Sequence, residues 1–231
     1  MVIDVSEAFK NVRLEQIIIG YIMKKEKNYK FTVGDYWGEK ININGKVDVN
    51  VCRSLSTIAI YIGDKMLDVY QKIRENSIKL GDINEIFRGL GWQKYISKEG
   101  DIEVLKGDNI KKFYIEHPLQ KIKIPQSALS VNKTKKIMRP KIVAQRIVAH
   151  VLNPYDRIVI MASYDPEGLL TLDTVMNVIL KTNKFTYEYI LGILNSRFAE
   201  WFYYWFVYNR SQNHGFRCLL YGKTTNKRNK F

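Results

Sequence analysis

Short apolar runs alternate with charged or glycine-containing turns along the first third of the chain, a pattern typical of a mixed α/β fold. Residues 14–23 are rich in β-branched side chains and predict a buried strand. Residues 29–34 predict a second strand. Residues 41–51 alternate apolar and polar positions around Asn44-Gly45, which predicts a β-hairpin with its turn there.

Helical spacing begins after residue 64. Met66, Leu67, Tyr70 and Ile73 recur at intervals of one turn and predict an amphipathic helix that Gly81 ends. Further along, residues 102–114 predict a strand, a Gly-Asp-Asn turn and a basic aromatic segment. Residues 139–151 then predict a strong strand, and residues 157–163 predict the strand that returns beside it.

A long helix is predicted from Thr186 to about Asn209. Seven of the nine residues from Phe198 to Phe206 are aromatic, so this helix is apolar on all sides and is expected to be buried. It could pack under a sheet of the chain's own central domain or against a separate subunit, or its rings could stack on flipped or single-stranded bases. The basic tail, residues 211–231, is expected to fray.

These elements predict a mixed α+β chain in four segments. A strand-rich segment occupies residues 1–80, a central domain residues 81–185, a long aromatic helix residues 186–210 and the basic tail residues 211–231.

Charge changes the functional picture. The 231 residues contain 37 Lys and Arg against 23 Asp and Glu, for a net charge of +14, which favours a polyanionic partner. Residues 117–155 contain no acidic residue, so this stretch is predicted to contact DNA phosphates; a solvated basic face is the alternative. Eight cations lie in it: Lys121, Lys123, Lys133, Lys135, Lys136, Arg139, Lys141 and Arg146.

Export and membrane insertion are not predicted. The start has an acid at Asp4 and no apolar core, and the most apolar stretch, residues 198–208, is short and contains Glu200. Two cysteines are too few for a disulfide framework. The chain is expected to be a soluble, cytoplasmic protein.

The common catalytic motifs are absent from the sequence. There is no GxxxxGK[ST] loop and no Gly-rich dinucleotide turn, and the three histidines are far apart. No Asp, Glu or Gln is followed two residues later by Lys, as the commonest magnesium-dependent restriction nucleases require. Neither a cofactor nor a metal ion is therefore expected in this chain.

Four segments form an ordered series: Arg88-Gly89-Leu90-Gly91-Trp92, then residues 105–110 (LKGDNI), residues 139–143 (RPKIV) and residues 191–197 (LGILNSR). This series resembles the TaqI-like C-terminal specificity domain of N6-adenine DNA methyltransferases in type II and type IIG restriction-modification systems. The resemblance implies that residues 81–185 are a target-recognition domain for double-stranded DNA and that residues 1–80 end a methyltransferase module.

The resemblance also implies that the chain is a C-terminal portion. A catalytic methyltransferase half, as a separate polypeptide, would then hold S-adenosylmethionine and possibly Mg²⁺. The alternatives are a type II restriction endonuclease subunit with an unrecognised active site and a degenerate relic that folds poorly.

Base recognition in the major groove requires Arg, Asn, Gln or Lys side chains at base edges. Gln145 and Arg146 are adjacent, so on a strand only one of them can face DNA. The candidates for DNA contact outside the eight cations are Arg88, Asn109, Lys111 and Gln145.

Overall fold

A computed structural model describes residues 1–5, 16–23, 26–37, 40–55, 58, 60, 64–151, 153–154 and 157–207. The strands are β1 Val2–Asp4, β2 Ile17–Ile19, β3 Lys30–Trp37, β4 Lys40–Asp48, β5 Asn84–Arg88, β6 Ile102–Leu105, β7 Gln120–Ile122, β8 Lys141–Gln145, β9 Ala149–Val151, β10 Arg157–Val159, β11 Ala162–Asp165, β12 Leu170–Thr171 and β13 Val175–Leu180. The helices are α1 Val49–Leu55, α2 Asp64–Glu75, α3 Leu80–Ile83, α4 Gln126–Leu129, α5 Asn132–Ile137, α6 Tyr187–Leu194 and α7 Arg197–Phe206. This mixture of helices and several sheets confirms the predicted α/β class.

The described residues form two compact units: residues 1–78 together with residues 202–207, and residues 79–201. The first holds a four-stranded sheet in the order β2-β1-β3-β4, in which only the β1–β3 pair is parallel, with α1 and α2 against β4. Tyr70 of α2 is buried, shares a hydrogen bond with the Ser54 hydroxyl and packs its ring on Phe202 and Phe206. That this unit ends a methyltransferase module stays a prediction.

Two predictions about the first unit, a buried strand and a hairpin turn, were wrong. β2 is a three-residue edge strand whose isoleucines are 49–56% exposed, so residues 14–23 do not form a buried strand there. Asn44-Gly45 is not a hairpin turn, because β4 continues through it. Gly45 pairs with Val33 and Ile43 with Gly34, which leaves Asn44 as the extra residue of a β-bulge.

The second unit, as far as the described residues show it, holds an antiparallel sheet in the order β11-β8-β13-β5. Val143 of β8 and Val175 of β13 pack with Leu105 of β6, which belongs to a three-stranded sheet in the order β12-β6-β7. Since strand side chains alternate, Ile142 and Ala144 face the opposite side, where α6 contacts β8 and β11. The core therefore lies on both faces of β8.

Residues 139–151 form two strands, β8 and β9, rather than one. The returning strand is also divided: β10 pairs with β9, and β11 pairs with β8. β5, β7, β12, β13, α4 and α5 were not predicted, and all but β13 are short. Residues 58–62, whose apolar run predicts a short buried strand, and the tail at residues 211–231 lie mostly and wholly, respectively, outside the described residues.

The predicted long C-terminal helix is two helices. The first helix begins where it was predicted to, and Thr186 caps it, its hydroxyl accepting the Tyr189 N–H. The helix ends at Asn195, whose side chain accepts the Ala162 N–H (3.0 Å) and donates to the Ala162 C=O (2.9 Å) of β11. Ser196 then caps α7 by accepting the Ala199 N–H. Short polar side chains that hydrogen-bond backbone groups favour helix ends over helix interiors.

The aromatic segment of α7 is largely packed within the chain. Tyr203 and Phe206 are buried, and Phe206 packs on Tyr70 of the first unit. No helix among the described residues is long and apolar enough to cross a membrane.

A buried ion pair joins the start of β8 to the end of β11. Lys141 donates to the Asp165 carboxylate, and both side chains are inaccessible to solvent. Asp165 also accepts the N–H groups of Gly168 (3.0 Å) and Leu169 (2.8 Å), and Lys141 donates to the Leu169 C=O. Burial lowers the pKa of Lys141, and Asp165 opposes that shift. The prediction that Lys141 contacts DNA is therefore withdrawn, because its ammonium group is enclosed.

Replacing Asp165 tests this ion pair. Asp165→Ala leaves a buried ammonium group and two backbone N–H groups without their partner, so we expect the free energy of unfolding to fall by about 3–5 kcal/mol. Urea unfolding of the full chain measures the change.

The control is Glu99→Ala, which breaks the exposed Lys123–Glu99 pair (3.6 Å). It should lower the free energy of unfolding by less than about 1 kcal/mol, because water already screens this pair. Equal losses of unfolding free energy in the two variants would show that the buried Asp165 contacts stabilise the fold no more than the exposed Lys123–Glu99 pair does.

Candidate nucleic-acid interface

The antiparallel register brings the ends of all four strands together at one end of the β11-β8-β13-β5 sheet. Gln145, the last residue of β8, pairs with Val175, the first of β13, and Ala162 begins β11 opposite Ala144. Arg88 ends β5 opposite Met176. We call this end of the sheet the Gln145 end. The opposite end of the sheet, which holds the Lys141–Asp165 pair, is called the Lys141 end.

Gln145 holds a loop against this edge. Its Nε2 donates to the C=O groups of Gly107 (2.9 Å) and Ile110 (3.1 Å), on either side of the turn at Asp108-Asn109. The Gly107 N–H in turn donates to Thr174 Oγ1 (3.0 Å). Because both amide hydrogens of Gln145 are engaged, this side chain positions the loop rather than pointing outward.

Arg146 follows directly and continues the ladder, its N–H donating to the Thr174 C=O (2.9 Å). Its side chain is half-buried, and its Nε has no hydrogen-bond partner among the described residues.

Arg88 is oriented by the turn before β13. Its Nε donates to the Asp173 C=O (2.8 Å), and its terminal nitrogen pairs with the Asp173 carboxylate. The next residue, Gly89, lies so close to Leu172 that an added Cβ would be 2.2 Å from the Leu172 carbonyl oxygen. The RGLGW segment therefore needs glycine here for close backbone packing.

Lys133 reaches the same edge from α5, where its Nζ donates to the Gly89 C=O (3.0 Å). Partial burial, and then the positive charge of Arg88, lower the pKa of Lys133, while Asp173 opposes the shift. A phosphate bound here would favour the protonated form of Lys133.

Asn109 and Lys111 lie in the loop that Gln145 holds. Asn109 accepts the Lys106 N–H (3.3 Å) and donates to the Glu116 C=O (3.1 Å), which gives it a structural task. Lys111 forms an ion pair with Glu116 (3.0 Å) and stays half-exposed.

The Gln145 end thus gathers six of the predicted residues: Arg88, Asn109, Lys111, Lys133, Gln145 and Arg146. The remaining predicted residues do not join them as one surface. Lys136 pairs with Glu85 toward the Lys141 end, and Arg139 is exposed just before β8. Lys135 is exposed on α5. Lys121 in β7 and Lys123 just after it are both exposed. Lys123 lies beyond the register pair Ile122–Ile102, at the start of β6, whereas Gly107 follows the end of β6.

The acid-free stretch is not free of counter-charges in the folded chain. Glu99, Glu85 and Asp165, all outside residues 117–155, pair with Lys123, Lys136 and Lys141. The expectation of uncompensated charge was wrong for these three, because the fold brings distant carboxylates to them. Part of the stretch is also helix, in α4 and α5, rather than strand.

Two side chains at the Gln145 end were missed. Phe113 and Tyr114, in the turn after Ile110, are 59% and 57% exposed. The signal in the sequence was the pair of aromatics beside two lysines, noted only as a basic aromatic segment. In the described ranges, no three His, Cys, Asp or Glu side chains lie close enough together to hold a metal ion.

Comparison with known proteins bears on the second unit. No curated protein matches the chain. A family model, the TaqI-like C-terminal specificity domain, matches residues 102–220. The match spans just over half of the chain and begins after the Arg88–Trp92 segment. The resemblance seen in the sequence is confirmed: the chain belongs to the family of TaqI-like C-terminal specificity domains.

Proposed function

We propose that this chain recognises a sequence in double-stranded DNA for a restriction-modification system, with the duplex against the Gln145 end. The observation that carries the proposal is the convergence of Arg88, Lys133 and Arg146 on one sheet edge in a chain of the specificity-domain family. Side chains on strand ends and a braced loop suit recognition, because their positions are held by the core.

Arg146 is the residue best suited to read a base. Gln145 is turned inward by its two carbonyl contacts, so of the two neighbours Arg146 is left to point away. An arginine side chain can donate two parallel hydrogen bonds to guanine O6 and N7 in the major groove.

Lys133 and Arg88 are suited to phosphate contacts. Lys133 is already fixed by the Gly89 carbonyl, and Arg88 by Asp173, so little side-chain freedom remains to be lost on binding. Asp173 also keeps the two cations from repelling each other when no DNA is present. A phosphate would replace part of that carboxylate's role.

The catalytic half is proposed to be a separate N6-adenine methyltransferase polypeptide that binds S-adenosylmethionine. Support comes from β2, which leaves three consecutive isoleucines exposed on an edge strand of the first unit. Exposed apolar edges invite pairing with another strand. Adenine methylation requires the base to leave the stack, so the partner's pocket would receive the base that this chain selects.

Salt-dependent binding tests the phosphate contacts. We expect the affinity for a mixed-sequence duplex to fall linearly on a logarithmic salt scale, because each phosphate contact releases condensed counterions. Replacing Lys133 and Arg88 with Gln should lower the slope by up to about two units, roughly one for each lost phosphate contact. Fluorescence anisotropy at several salt concentrations measures both.

The matched control is Lys123→Gln with Arg139→Gln, which removes the same charge away from the Gln145 end. It should change the slope by less than about one unit. If this control lowers the slope as much as the Lys133 and Arg88 pair does, DNA does not lie at the Gln145 end.

Reconstitution tests the methyltransferase context. The chain is mixed with the product of the adjacent upstream reading frame and radiolabelled S-adenosylmethionine. We expect methyl transfer to DNA only when both polypeptides are present. Ile18→Lys should reduce this transfer, because a charge on β2 opposes strand pairing, while DNA binding by the chain alone stays unchanged.

The same preparation distinguishes the endonuclease alternative. The chain alone is incubated with Mg²⁺ and mixed-sequence DNA. Cleavage without a partner would replace the methyltransferase proposal with that of a restriction endonuclease subunit.

A further inference from the structure

The turn between Ile110 and Ile115 presents two aromatic rings at the Gln145 end. The Lys111 N–H donates to the Tyr114 C=O (3.0 Å), and Ile110 and Ile115 form an antiparallel bridge. Phe113 and Tyr114 leave more than half of their surface in water. Rings this exposed add little to folding, since apolar side chains stabilise a protein through burial.

Phe113 has a backbone conformation that its own side chain disfavours. Its φ is +72°, and it is the described non-glycine residue with positive φ. Glycine or asparagine usually occupies the third position of turns with this geometry, because a Cβ is crowded there. A bulky residue held in this region stores strain, and such strain is concentrated at functional sites. Folding alone would be served better by glycine.

The turn is braced from below. The Phe113 N–H donates to the Ala162 C=O (2.9 Å), and Gln145 donates to the Ile110 C=O (3.1 Å). Lys112 donates to the Asn195 C=O (3.1 Å) and pairs with the Glu200 carboxylate. The backbone beneath the rings is thus tied to β8, to β11 and to the α6–α7 junction.

We propose that Phe113 and Tyr114 form a wedge that inserts between stacked bases of the duplex bound at the Gln145 end. This deepens the proposed function, on which it rests: the domain would unstack its site as well as read it. Apolar side chains inserted at a base step partly unstack it, and every base offers a face on which an aromatic ring can stack. A turn held by several hydrogen bonds suits this task, because its backbone keeps its position when the rings press against the bases.

The surroundings favour DNA over a protein partner. Lys111 and Lys112 of the turn are paired with Glu116 and Glu200, but the same end of the sheet also carries the cations Lys133 and Arg146. A protein-docking surface would be a broader contiguous apolar patch. Two rings among cations match a ligand that combines phosphates with flat apolar faces.

Two duplexes of identical mixed sequence test the wedge, one fully paired and one with a single mispaired base. We expect the full chain to bind the mispaired duplex about tenfold more tightly, because part of the unstacking has already occurred. Phe113→Gly should abolish this preference, and Phe113→Trp should keep it.

Phe113→Gly also controls for folding. Glycine relieves the positive-φ strain and the lost ring is exposed, so the thermal midpoint should not fall. Tyr189→Ser is the matched control, since Tyr189 is also exposed by more than half and lies on α6 of the same unit. It should keep the preference for the mispaired duplex.

The outcomes separate the two proposals. If the chain binds both duplexes with the expected salt dependence but without preference, or if Phe113→Gly keeps the preference, the wedge is overturned and DNA recognition stands. If the chain binds neither duplex at any salt concentration, both proposals are overturned.

Discussion

Both ends of β8 are held by polar side chains that bond to other parts of the second unit, Lys141 fully buried and Gln145 partly buried, and the rest of the unit depends on this constraint. At one end Lys141 pairs with Asp165, which also holds the turn after β11. At the other end Gln145 donates to two carbonyls of the loop after β6. Between them β8 is buried on both faces, so its register determines where β11, β13 and the three-stranded sheet lie. A buried charge or amide accepts few alternative partners, which makes the register specific.

The candidate interface follows from that register. When Gln145 lies opposite Val175, Arg146 meets Thr174, and Asp173 is placed to hold Arg88. Lys133 reaches the same end of the sheet from α5, its Nζ donating to the Gly89 C=O. The interface is therefore built from strand ends and one braced loop, and its cations are oriented before any ligand binds. Preorganised donors lose less freedom on binding than a flexible basic tail does.

The local elements with strong signals were predicted from the sequence. The strand and Gly-Asp-Asn turn of residues 102–109, the helix start at Thr186 and the returning strand after Arg157 are all present. The misses have physical causes. Asn44-Gly45 has hairpin chemistry but forms a bulge, since β4 pairs continuously with β3. The aromatic periodicity of residues 187–206 concealed a break at Asn195, where contacts with β11 compete with helix continuation.

The sequence by itself determined the mixed α/β class, the basic character and the family, because composition and the order of short motifs do not depend on which residues are in contact. Only the tertiary structure decided which cations share a surface. Lys133 and Arg88 are far apart in the chain yet meet at Gly89, whereas Lys141, four residues before Gln145, is enclosed with Asp165. Charge runs along a sequence do not specify faces, because strand pairing and burial assign each side chain to a partner that can be distant in the chain.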